Sequence, residues 1–218
     1  MSENTSRSVD SNQSGIHERL ADIVMKHLSS SFKRPFADHS CRVFDKIYAA
    51  VRDRDGPFIL DACCGVGDST RHLAKEFPDH LVIGLDKSLH RLSRQRSGTD
   101  PENMMLARTD LNDFYRLAVE ADLKPARHYI LYPNPWPKAA HLKRRWHGAP
   151  VFPSIINVGG CFELRSNWDI YLLEFQAALK LAGKTSELCL IMPEKPITPF
   201  EVKYQSDGQP LWQLTAEL

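Results

Sequence analysis

Phe58 to Asp86 reads F-I-L-D-A-C-C-G-V-G-D-S-T-R-H-L-A-K-E-F-P-D-H-L-V-I-G-L-D. Phe58–Leu60 and Leu81–Leu85 are short, continuous apolar runs. Such runs suit strands that are buried on both faces. Between them Asp68 to Phe77 is long enough for a helix, and Gly65-Val66-Gly67 leads into it as a turn. Strand, glycine turn, helix and strand make one βαβ unit, which places the two strands parallel.

The alternation continues on both sides. Downstream, helices are expected at Ser88–Arg96, Leu111–Ala121, Val151–Val158 and Trp168–Leu181, and strands at Asn103–Ala107, His128–Tyr132, Cys161–Arg165 and Leu188–Met192. Gly159-Gly160 stops one helix, and Leu211–Thr215 supplies a last strand. Upstream, apolar residues at helical spacing predict helices over Ile16–Ser29 and His39–Val51, separated by Pro35. Asp55-Gly56-Pro57 is the turn into the first strand. The expected fold is α/β, a single domain with a seven-stranded, mostly parallel sheet, helices on both faces and a C-terminal antiparallel pair. The expected division is a disordered polar tail over residues 1–15, N-terminal helices over 16–57 and the main domain over 58–218.

Composition excludes several classes. The first 15 residues are rich in Ser and Asn and lack the apolar core of a signal peptide. No run of apolar residues is long enough to span a bilayer. The five cysteines form no C-x-x-C pair, which argues against a zinc site and for reduced thiols in a cytoplasm. The net charge is only +1, so affinity for a polyanion must come from a local patch.

Ligands of such sheets bind beyond the carboxyl ends of the strands. The first strand ends at Asp61, before the Cys63–Gly67 loop. A carboxylate there would repel a pyrophosphate and attract a cation. S-adenosylmethionine carries a sulfonium and an ammonium and no phosphate, so Asp61, Cys63, Gly65 and Gly67 favour it over a dinucleotide. Asp86, about 20 residues beyond the glycines, is placed for ribose hydroxyls or as a helix cap. Asp110, at the third strand tip, suits an adenine amino group or the cap of the next helix.

A second stretch lies beyond the fourth strand: Leu131 to Arg145, L-Y-P-N-P-W-P-K-A-A-H-L-K-R-R. Its prolines stiffen a loop that carries Asn134 and Trp136, an amide and an aromatic ring suited to a flat base, although a tryptophan between prolines also serves as a packing plug. Lys138 follows, and then His141, Lys143, Arg144 and Arg145, which suit an RNA phosphate backbone or a solvated face.

This stretch resembles the F-P-D-P-W-x-K-x-x-H-x-K-R-R signature of bacterial tRNA (guanine-N7)-methyltransferases. The similarity continues through Gly159-Gly160, Ser166-Asn167-Trp168 with Tyr171, Thr198-Pro199-Phe200-Glu201 and Leu211-Trp212-Gln213-Leu214. The resemblance implies a Rossmann-like class I fold, S-adenosylmethionine as cofactor and tRNA or another RNA as partner, with the chain a monomer or a homodimer. It assigns Asn134 to the active site beside the cofactor, and Lys138, Asn167, Thr198, Pro199, Phe200 and Glu201 to the substrate.

Two positions depart from the family: Asn134 and Asn167 stand where it has Asp. Guanine N7 has a free lone pair and needs no general base, so orientation is the main requirement. A carboxylate accepts from both N1–H and the N2 amine of guanine, whereas an Asn offers one oxygen. Methylation of guanine N7 in tRNA is the leading expectation. A relative acting on another RNA base or a small molecule, and a non-catalytic RNA-binding relative, are the alternatives. Asn134-Pro135-Trp136 also resembles the N-P-P-[YFW] loop of exocyclic-amine methyltransferases, with one proline fewer.

Overall fold

A computed structural model describes residues 9–94 and 98–218. Seven strands form one sheet in the order β3-β2-β1-β4-β5-β7-β6. They are β1 (Phe58–Ala62), β2 (Leu81–Asp86), β3 (Met104–Arg108), β4 (Arg127–Leu131), β5 (Cys161–Ser166), β6 (Glu187–Ile191) and β7 (Leu211–Glu217). β1 runs parallel to β2 and β4, β2 runs parallel to β3, and β6 and β7 are antiparallel. The mostly parallel sheet and its antiparallel C-terminal pair are those expected from the sequence.

Backbone contacts divide the chain into two compact units, each built from separated segments. One holds Lys33–Leu131, Ser154–Glu163 and Leu218. Its strands β1 and β2 are buried at every residue, which is why they read as continuous apolar runs. Helix α2 (Asp38–Arg54) buries Ser40, Phe44, Ile47 and Val51, one stripe at helical spacing. Helix α3 (Asp68–Glu76) packs on β2 at Gly84, where an added Cβ would overlap the Thr70 side chain and Leu106 Cδ2. Asn103 ties the end of α3 in place by donating to the carbonyls of Ala74, Phe77 and His80 at 2.9–3.1 Å. Helix α5 (Leu111–Glu120) follows β3. The strand order changes direction between β1 and β4, the switch point at which sheets of this kind take ligands.

The other unit holds the described residues 9–32, with Tyr132–Pro153 and Leu164–Glu217. It contains α1 (Leu20–Leu28), α7 (Asp169–Leu181) and α8 (Pro199–Ser206), besides β6 and β7. Helix α1 begins later than the apolar spacing predicts, because Ile16 is exposed and its neighbours form a turn. Helix α4 (Leu89–Leu92) is shorter than the predicted Ser88–Arg96, part of which lies outside the described residues. Helix α6 (Phe152–Val158) stops at Gly159 and Gly160, both at positive φ. Both units are assembled from distant segments, so no linker marks either one in the sequence.

Residues 1–8 of the expected disordered tail lie outside the described residues. Residues 11–13 are hydrogen-bonded: Ser11 Oγ donates to the Pro137 carbonyl at 2.7 Å and Asn12 Oδ1 accepts from the Ala139 amide at 3.0 Å. Their polarity serves partners inside the protein.

Candidate functional site: strand tips and a cationic loop

Asp61 is fully buried at the end of β1. Its Oδ2 accepts from Ser69 Oγ at 2.7 Å and Thr70 Oγ1 at 2.6 Å, both in the first turn of α3. Its Oδ1 is buried with no hydrogen-bond partner among the described residues. Burial raises the Asp61 pKa to about 6 against the two hydroxyl bonds, and the nearby Asp86 adds to the rise. A buried carboxylate oxygen without a donor is costly, and a cation or N–H donor would relieve that cost.

The loop after Asp61 is built for close approach. Cys63, Gly65 and Gly67 all have positive φ, which is costly for the cysteine. A Cβ placed on Gly65 meets nothing within 4 Å, so a ligand can approach the backbone there. Cys63 is half-buried, while Cys64 points inward with its thiol pKa pushed far up by burial. Asp86 anchors the loop: Oδ2 accepts from the Gly65 amide at 3.1 Å and Arg91 Nη1 at 3.2 Å, and Oδ1 from the Ser88 amide at 2.7 Å. A carboxylate oxygen has about two acceptor sites, so Oδ1 keeps one for a hydroxyl. The orphaned Asp61 oxygen, the open Gly65 backbone and the spare Asp86 acceptor fit a cationic nucleoside without phosphate.

Asp110 takes the capping role. Its Oδ1 accepts from the backbone and side-chain nitrogens of Asn112 at 2.9 Å, and its Oδ2 pairs with Arg34 at 2.9 Å. The residue expected to meet adenine thus has both oxygens committed. Thr109 beside it has a buried hydroxyl without a partner among the described residues.

In the other unit, the Asn134–Arg145 segment forms a tight loop and then a 3-10 turn over Ala139–Arg144. Asn134 is exposed, and its Oδ1 accepts from the Trp136 amide at 3.3 Å. That bond supports Trp136 at a φ of 47°, an uncommon conformation for a bulky residue. The Arg144 guanidinium lies 4.7 Å from the Trp136 ring centre, and His141 meets the ring edge-on. Lys138, Lys143 and Arg144 are exposed and His141 is half-buried. Among the described residues, no carboxylate pairs with Lys143 or Arg144.

Residues 55–214 match a family model described as "Putative methyltransferase". The chain belongs to this methyltransferase family. Among curated relatives, a tRNA (guanine-N(7)-)-methyltransferase of Pseudoalteromonas atlantica is 27% identical, over 91% of this chain and 87% of its own. One from Marinobacter nauticus is 29% identical, over 75% and 74%. Among solved structures, an antibiotic-related methyltransferase superposes with a TM-score of 0.58 at 14% identity, over 80% of this chain and 94% of its own. A 16S rRNA (adenine(1408)-N(1))-methyltransferase from Catenulisporales acidiphilia, solved with SAM, gives 0.54 at 14% identity, over 79% and 90%. These structures establish the α/β Rossmann-like methyltransferase fold.

Two expected contacts of the methyltransferase are corrected by burial. Arg145, expected on RNA phosphate, is 0% exposed and pairs with Glu174. Its position at the end of the 3-10 turn sends it inward while Lys143 and Arg144 face out. Glu201, expected as an acceptor for the base, is also 0% exposed. Its Oε1 accepts from Tyr132 Oη at 3.1 Å and Arg165 Nη1 at 2.7 Å, and its Oε2 from the Ile197 amide at 2.6 Å. Thr198 caps α8, accepting from the Glu201 amide at 3.0 Å, with Pro199 opening the helix. Thr-Pro-x-Glu is a helix-start signal that the sequence carried, yet α8 was absent from the expected elements. Phe200 is exposed and stacks on Tyr204. Asn167 Nδ2 donates to Gln209 Oε1 at 2.8 Å. Glu174, His147 and Gln13 carried no sequence signal, since nothing but folding brings them to Arg145.

Proposed function

We propose that this methyltransferase transfers a methyl group from S-adenosylmethionine to N7 of guanine in tRNA. The observation that carries the reading is the Asn134–Arg144 loop. It exposes an amide and cations that have no carboxylate partner among the described residues, and it sets a half-buried tryptophan ring under a guanidinium, a set suited to a nucleotide with its phosphates. The similarity to curated tRNA (guanine-N7) enzymes supports the choice of base. No helix of the described residues is long and apolar enough to cross a membrane, and we place the activity in the cytoplasm with its tRNA.

When bound, S-adenosylmethionine supplies a methyl group made electrophilic by its sulfonium. Asp61 would hold the ammonium through the oxygen that lacks a donor, the Cys63–Gly67 backbone would line the cofactor, and Asp86 would accept from a ribose hydroxyl. Guanine N7 attacks with its own lone pair, so no residue has to remove a proton first. Asn134 orients the base through its amide, Lys138 stands by the substrate, and His141, Lys143 and Arg144 hold RNA backbone.

A second reading follows from the acceptors. Glu201 is consumed by internal partners and Asn134 and Asn167 are amides, so none of these residues offers the base a free carboxylate. That favours a relative whose target has fewer donors than guanine, another RNA base or a small molecule. Incubating the protein with labelled methyl donor and bulk tRNA, then digesting to nucleosides, decides between them. Label in 7-methylguanosine supports the first reading, label in another nucleoside supports the second, and unlabelled tRNA sinks the first. Asn134→Asp sharpens the test, because restoring a carboxylate should raise guanine-N7 activity.

A further inference from the structure

Arg145 sits at the centre of a buried polar knot. Its Nη1 pairs with Glu174 Oε2, its Nε and Nη2 donate to the Trp136 carbonyl at 3.2 and 3.1 Å, and Nη2 also reaches the Lys138 carbonyl at 3.3 Å. Glu174 accepts further bonds from His147 Nε2 at 2.9 Å, Gln13 Nε2 at 2.5 Å and the His17 amide at 2.9 Å. Gln13 turns its own oxygen back to Arg145 Nη2 at 3.1 Å. The guanidinium also lies 4.9 Å from the Trp168 ring centre. Arg145, His147 and Glu174 are all 0% exposed.

This arrangement exceeds what a core ion pair requires. Glu174 neutralises the guanidinium, whose other donors reach Gln13 and the backbone of the loop that carries Asn134, Trp136 and Lys138. Prolines at 133, 135 and 137 leave that loop few amides of its own, and Trp136 is held at an unfavourable φ. Ser11 and Asn12 secure the same loop from the N-terminal side, at Pro137 and Ala139. Only a planar fork satisfies a carboxylate and two carbonyls together.

We propose that Arg145 is the positioning residue of the substrate loop: neutralised by Glu174 and completed by Gln13, it fixes the backbone from Trp136 to Lys138 and touches no RNA. This rests on the reading of that loop as the substrate loop. Lys143 and Arg144 bind the polyanion, and the third member of the cationic run shapes the surface on which the base is held.

The test uses the full-length protein carrying Arg145→Lys, which keeps a charge beside Glu174 and loses the fork. Three measurements are made: kcat and KM with tRNA, the salt dependence of RNA binding, and amide exchange at Trp136 and Ala139, which needs no turnover. We expect kcat to fall on the order of 100-fold, as for a displaced reacting group, with KM and the salt slope unchanged and both amides exchanging faster. The proposal is overturned if the variant keeps kcat and instead loses affinity and salt dependence, as a phosphate contact would. It is also overturned if neither turnover nor exchange changes, because Arg145 then only fills space. If Arg145→Lys fails to fold, Gln13→Ala takes its place: it spares the ion pair, and unaltered exchange at Ala139 rejects the proposal. If the wild-type protein leaves tRNA unmethylated, the functional reading fails while the exchange data still decide the role of Arg145.

Discussion

Asp61 and Glu174 are both wholly buried carboxylates, one in each unit, yet their surroundings are opposite. Among the described residues, Asp61 receives two hydroxyl bonds on one oxygen and none on the other. Glu174 receives a guanidinium, an imidazole, an amide side chain and a backbone N–H. Burial drives the Asp61 pKa up to about 6. Burial also pushes Glu174 up, but the bonds from His147 and Arg145 outweigh it and bring the pKa down to about 2. Burial pushes the His147 pKa down, against the hydrogen bond and charge of Glu174. Two equally hidden acids are told apart by their donors: the saturated one belongs to the framework, and the one with a bare oxygen is suited to a ligand.

The contrast is broken most severely at Glu174. Glu174→Gln leaves Arg145 charged and buried without its counter-ion, and should cost about 3–5 kcal/mol in denaturant unfolding. Its pKa is depressed from 4.5 to about 2, so the wild-type contribution is fully present above about pH 4.5 and is lost as pH falls toward 2.

Asp61→Asn should do the reverse. The Asp61 pKa is raised from 3.8 to about 6, so the native carboxyl holds its proton longer than the unfolded one. Ionising it makes stability fall as pH rises from about 4 to 6. The amide keeps an acceptor for Ser69 and Thr70, and the variant should be more stable at pH 8 by up to about 3 kcal/mol. Cofactor affinity by calorimetry should drop sharply in the variant, and in the wild type it should rise with pH through about 6. A destabilised Asp61→Asn that still binds cofactor would erase the contrast.

Smaller changes sharpen it. Tyr132→Phe removes the hydroxyl donor to Glu201 Oε1 and should cost roughly 1–2 kcal/mol, read as a shift in the unfolding midpoint. Lys143→Ala should leave stability within about 0.5 kcal/mol of wild type. RNA binding should instead weaken, with a salt slope shallower by about one unit.

The sheet was legible because β1 and β2 are buried at every residue and so appear as unbroken apolar runs. The strand tips were legible because chain order alone puts Asp61, Asp86 and Asp110 at carboxyl ends. The choice between adenine contact and helix cap at Asp110 was not, because it is settled by Asn112 and Arg34, and Arg34 lies 76 residues from it in sequence. In Lys143-Arg144-Arg145 three adjacent cations look alike. The 3-10 turn decides which is buried, and the partner that fixes the choice is 29 residues away. Polarity misled in the N-terminal tail, since Ser, Asn and Gln serve buried partners as readily as they serve water.

The bond between Gln13 and Glu174 joins positions 161 residues apart. A ribosome releases the first long before it has made the second, and domains take shape as their segments emerge. The Trp136–Lys138 loop therefore acquires its anchor late in synthesis, after the residues of β1 to β5 have been made. Until Glu174 emerges, a nascent chain carries that loop and Arg145 without the carboxylate that neutralises the guanidinium.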